Sequence, residues 1–147
     1  MSHSYRQAHT GRLTVEDLRV GLAGFVEVLA SLGYRDLKVR FGWGCFNLSV
    51  DELWNPLPMK VDDLEEFVKQ AEHAGTFEWG EGDLIVETSD DTVRMTICHE
   101  SDLHCGTADR TVFDKMLAFW RAQGLTVWVS SAPKDSVGPI DWKPFES

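Results

Sequence analysis

Between Cys98 and Cys105 the chain gathers two cysteines, two histidines, two carboxylates and a serine, Cys98-His99-Glu100-Ser101-Asp102-Leu103-His104-Cys105. Three chemistries are open to such a stretch. Neutral imidazole, thiolate and carboxylate all bind zinc or iron, which makes Cys98, His99, His104 and Cys105 candidate ligands. The spacing opposes this, because the cysteines are seven apart rather than paired on one turn, and the histidines are five apart where the helical His-Glu-x-x-His motif needs four. A second chemistry is nucleophilic, with Cys98 or Cys105 activated by His99 or His104. Cys105 precedes an expected helix start, which would favour a thiolate, but the neighbouring acids disfavour another anion. A third is hydrolysis by acid and base, using His99, Glu100, Asp102 and His104. In an extended strand Glu100 and Asp102 would share one face at roughly 7 Å, enough to hold a water between them.

A purely structural reading competes with all three and is favoured. On it His99 has the strand parity of Val93, Met95 and Ile97 and sits at the core edge, donating to a backbone carbonyl. Ser101 and Asp102 then make a turn, and Thr107 or Asp109 caps the next helix. No cofactor is expected. There is no Walker loop, no Gly-x-Ser-x-Gly, no dinucleotide fingerprint and no Pro-Cys-x-x-Cys partner for a deaminase.

The elements that would position this stretch are a strand before it, Thr92–Glu100, and a helix after it with Val112, Phe113, Met116, Leu117 and Trp120 as its apolar stripe. Further upstream, Thr14 should cap a helix carrying Leu18, Leu22, Phe25, Val26, Leu29 and Leu32, with Gly33 closing it. Leu37, Val39 and Phe41 alternate as a strand, and the sequence from Gly42 to Val50 predicts a second strand after a glycine kink. Two prolines make 51–60 irregular. Asp62, with Glu65 three residues on, should cap a second helix that buries Leu64, Phe67, Val68 and Ala71. Three short strands follow, at 76–79, 83–89 and 92–100, joined by hairpin-length turns and so antiparallel. A last strand is expected over 125–130. The whole predicts a single α+β domain over 13–131, with a mainly antiparallel sheet, about three helices packed on one face, and the order α-β-β-α-β-β-β-α-β. It is flanked by a flexible segment 1–12 and a Pro-rich tail 132–147, which Trp142 and Phe145 could pin to the surface.

Size and composition agree with a folded domain. The 147 residues are 43% hydrophobic, with six tryptophans and eight phenylalanines, enough apolar surface to offset ordering entropy. No apolar run suggests a signal peptide or a membrane anchor, and three cysteines form an odd set expected to be reduced, so a cytoplasmic location is expected. The net charge is −10, and residues 51–109 hold 16 acids against three basic residues, so the middle of the chain carries the whole excess. That balance disfavours nucleic acid and anionic membranes, and it attracts a basic protein.

In size, charge and absence of a finished catalytic set the chain resembles bacterial immunity proteins and other small protein inhibitors, a likeness of character that maps onto no residues. It implies a module that covers the site of a basic toxin or nuclease. The expected contacts are Asp62, Asp63, Glu66, Glu81, Asp83, Asp90, Asp91, Glu100 and Asp102, with Trp79 or Trp54 as aromatic anchors.

Overall fold

A computed structural model describes residues 4–49 and 51–133. Thr14 accepts a hydrogen bond from the Asp17 backbone N–H and starts helix α1, Val15–Ser31, which buries Leu18, Leu22, Phe25, Val28 and Leu29. Helix α2, Leu64–His73, buries Leu64, Val68 and Ala71. Its start departs from the capping-box expectation: a 3-10 turn, Val61–Asp63, takes up Asp62, and Asp63 stands at the cap position without a side-chain cap bond. Helix α3, Arg110–Ala122, buries Val112, Phe113, Met116 and Trp120. Its cap is Asp109, whose carboxylate accepts from the N–H groups of Thr111 and Val112.

Seven strands form one antiparallel sheet: β1 Ser4–Thr10, β2 Asp36–Phe41, β3 Leu57–Lys60, β4 Leu84–Thr88, β5 Val93–Ile97, β6 Leu103–Thr107 and β7 Val127–Pro133. They lie in the order β3-β2-β4-β5-β6-β1-β7. The chain is a single α+β domain, and from α1 onward the elements follow the expected α-β-β-α-β-β-β-α-β order. Leu37, Val39, Phe41, Leu84, Val86, Val93, Met95, Ile97, Leu103 and Cys105 point to the helices and are buried. Phe67 of α2 stacks on Phe41 at 5.6 Å. Helix α1 approaches β6 so closely that a Cβ on Gly21 would come within 2.3 Å of Leu103 Cδ1.

Several strand assignments differ from those the sequence predicts. Residues 4–10, expected to be flexible, form β1 between β6 and β7, and Ala132 and Pro133, assigned to the tail, end β7. The expected strand over 42–50 is a loop where described, while the proline-rich segment supplies β3. That strand tolerates Pro58 because it pairs with β2 on one side only. Residues 76–79 form no strand, and the third member of the expected meander is β6. The tail residues Trp142 and Phe145 lie outside the described residues. Among the described residues no helix is long and apolar enough to cross a membrane.

Candidate functional site at one end of the sheet

The stretch 98–105 is a tight hairpin. Cys98 N–H donates to the Asp102 carbonyl at 2.9 Å, Ser101 N–H donates to the Cys98 carbonyl at 3.0 Å, and Ser101 takes a left-handed φ of 65°. Strand parity then divides the side chains. Leu103 and Cys105 point to the core, while Cys98, Asp102 and His104 belong to the face turned away from the helices, which also carries Arg94 and Thr96. Cys105, 1% exposed and with its thiol pushed up to about 12 by burial, is thereby removed from the ligand set read in the sequence. Glu100 lies in the turn, so strand alternation does not set it beside Asp102 as expected.

Leu84 pairs with Ile97, and continuing that register one residue beyond the ladder sets Asp83 opposite Cys98. Asp83 is 1% exposed. Its Oδ1 accepts from the backbone N–H of His99 at 2.7 Å and lies 2.8 Å from His99 Nδ1. His99 is therefore paired with a carboxylate rather than with a backbone carbonyl. Asp83 is itself clamped, since its N–H donates to the Trp43 carbonyl at 2.7 Å and its carbonyl accepts from Gly42 N–H at 3.0 Å. Burial raises the Asp83 carboxyl above its ordinary value, against the hydrogen bonds from His99.

On the other side of Cys98, His104 Nε2 lies 3.1 Å from Asp102 Oδ1. Burial pushes the Asp102 carboxyl up, but the bond and charge of His104 outweigh it and hold the group below the usual aspartate range. Cys98 is pushed up to about 12, first by burial and then by the charges of Asp102 and Asp83, so it is a thiol and not a ready nucleophile. The potential ligand atoms of Asp83, Cys98 and His99 all lie within 4.8 Å of one another, and so do those of Cys98, Asp102 and His104. Glu100 is outside both groups, 74% exposed and 3.9 Å from His99 Nε2. Each histidine of the expected hydrolytic set thus has its own aspartate.

Sequence reasoning assigned Asp83 to a docking surface and missed His9 and Trp128. His9 stacks between His104 and Trp128, with ring centroids 5.8 and 5.4 Å away. A signal for Asp83 existed: a hairpin centred on Asp90 and Asp91 sets residue 83 against residue 98. His9 had none, because its strand pairs only with distant segments.

The expected docking residues do not form one surface. Asp62 and Asp63 lie in the 3-10 turn and Glu66 on the outer side of α2. Asp90 and Asp91 occupy the β4–β5 turn, at the opposite end of the sheet from Cys98, where Asp90 accepts from Thr88 and Thr92 and Asp91 pairs with Lys38. Asp83 and Asp102 face the histidines. Trp79 is buried, edge-on to Phe77, and Trp54 is half-buried against Gly42, so neither is an exposed anchor. Trp128 is 52% exposed and stacks on His9; the other exposed aromatics among the described residues are Trp43, at 52%, and Phe46, at 65%. They sit on a loop braced by Phe46 N–H to the Thr76 carbonyl at 3.0 Å and by Asn47 Nδ2 to the Ala74 carbonyl at 3.0 Å. Gly44 packs on the Glu81 backbone, and Ser101 hydroxyl donates to the Gly80 carbonyl, so Glu81 and Glu100 share the end of the molecule that carries these aromatics. Comparison with protein-family models, curated proteins and solved structures returned no match to this chain.

Proposed function

We propose that the protein is a small acidic binding module, of the kind that inhibits a basic bacterial toxin or nuclease by covering its site, and that it docks through the Trp43–Phe46 loop and the acids beside it. The observation that carries this reading is the pair of exposed aromatics held on a backbone-braced loop next to Glu81 and Glu100. Burying one such ring at an interface contributes about 1.5–3 kcal/mol, and aromatic anchors dominate interface energetics. Bracing the loop in advance lowers the ordering cost of binding. The net charge of −10 supports a basic partner, whose approach such a field would accelerate.

The test is capture of a basic protein from the native host by the immobilised chain, followed by an assay of whether the chain inhibits that protein. Trp43→Ala with Phe46→Ala should abolish capture at any salt, and Glu81→Lys with Glu100→Lys should remove its salt-sensitive part. Equal capture by the aromatic double variant would refute the reading.

A second reading, a small hydrolase using His99, Glu100, Asp102 and His104, draws support from the two histidine–aspartate pairs that flank Cys98. It requires His99→Ala and His104→Ala each to abolish turnover while leaving capture intact, whereas the docking reading requires neither to matter for inhibition.

A further inference from the structure

We propose that Cys98 anchors a divalent transition-metal ion of the zinc type, which draws its remaining protein ligands from a flanking pair, Asp83–His99 or Asp102–His104. The inference is independent of docking. Its first support is the chemistry of the donors. A sulfur with an imidazole and a carboxylate, the donor set of each group, suits zinc and its borderline neighbours, whereas calcium and magnesium require oxygen donors.

The second support is distance. Bonds of roughly 2.0–2.3 Å to a tetrahedral zinc place neighbouring ligand atoms roughly 3.3–3.8 Å apart. Cys98 Sγ already lies 3.9 Å from His99 Nδ1, with Asp83 Oδ1 2.8 Å from that nitrogen and Asp102 Oδ1 3.1 Å from His104 Nε2. The two carboxylate–imidazole contacts are hydrogen bonds shorter than that spacing, so an ion entering either group replaces the bond and parts the pair by a few tenths of an ångström, and Cys98 is common to both groups.

The third support is mechanical and electrostatic. The ligands stand on the ends of β4, β5 and β6, and the turn between the last two is fixed by backbone hydrogen bonds, so the site is largely built before an ion arrives. Two aspartates next to a half-buried thiol form a pocket of excess negative charge that a dication neutralises.

The experiment adds Co²⁺ to the chelator-washed, reduced full chain and reads the near-ultraviolet thiolate-to-cobalt charge-transfer band, with Zn²⁺ as competitor. One cobalt per chain is expected, displaced by zinc. Cys98→Ser should abolish the band, Cys45→Ala should keep it, and His99→Ala or His104→Ala should weaken cobalt binding by about tenfold or more. Circular dichroism confirms that each variant is folded. A measurement on the unsubstituted protein covers the case where Cys98→Ser is not: Zn²⁺ should protect Cys98, but not Cys45, from alkylation, as mapped by mass spectrometry. No band in the unsubstituted protein, a band that survives in Cys98→Ser, indifference to both histidine substitutions, or no protection of Cys98 by zinc overturns the proposal.

Discussion

Asp109 does two jobs with its two oxygens: Oδ1 caps α3, and Oδ2 accepts the Tyr34 hydroxyl at 2.7 Å, tying the segment after α1 to the start of α3. The sequence narrowed the cap to Thr107 or Asp109, because capping is a rule about neighbours, a short polar residue just before a helix start, and the structure gives it to Asp109. The bond to Tyr34 was not legible there, since 75 residues separate the partners. His99 teaches the same lesson, because its aspartate lies on another strand. Asp109→Ala should cost about 1–2 kcal/mol for the cap, and Tyr34→Phe about 1 kcal/mol for the hydrogen bond. The second loss depends on pH. Burial, then the bond to Asp109, raises the phenol above 10.0, so the folded state holds the proton more tightly than the unfolded chain. Its contribution is complete below 10.0 and is lost as pH rises through the folded value. Urea unfolding should therefore show a gap between the two proteins at neutral pH that narrows above pH 10, and a constant gap would refute the assignment.

At the scale of elements, the helices were readable and two of the strands were misplaced, for a physical reason. Helical stripes such as Leu18, Leu22, Phe25 and Leu29 repeat locally, whereas a short strand is recognised by its partner. Residues 76–79, read as a strand, alternate polar and apolar because Phe77 and Trp79 are buried in a loop. Gly42 to Gly44, read as a kink, serve a close approach: Gly44 has φ +77°, and a Cβ there would stand 2.1 Å from the Glu81 carbonyl oxygen. Gly44→Ala must move backbone and should destabilise the fold by about 2 kcal/mol or more, while displacing the loop that carries Trp43 and Phe46. Gly33 at φ +86° has nothing within 4 Å, so Gly33→Ala carries only the left-handed penalty of about 1 kcal/mol. Thermal unfolding of both variants separates clash from conformation, and equal losses would show that the contact with Glu81 is slack.

For the molecule as a whole, the acidic middle that composition suggested as one surface is dispersed by the fold, and part of it is internal. Glu87, 3% exposed, joins Arg40 and Arg94 on the sheet face away from the helices. Glu87→Ala deprives both guanidinium groups of a shared carboxylate and should cost about 3–5 kcal/mol, measured by urea unfolding. The same long-range logic hid β1. Among its residues whose side chains are described Ala8 is the one buried apolar residue, so no alternation marks it, yet Ala8 pairs with Cys105 on one side and Val129 on the other. Strand β7 meets the sheet only through β1. A proline at position 8 removes an N–H from a doubly paired strand, where Pro58 on the edge strand β3 is harmless. Ala8→Pro should therefore destabilise the domain by about 3 kcal/mol, on the scale of proline inside a regular element, and should release β7 along with β1. Hydrogen exchange reads both effects: amides of β7 and β6 should lose protection together. An Ala8→Pro protein as stable as its parent, with β7 still protected, would mean that residues 4–10 are the loose segment their composition suggests.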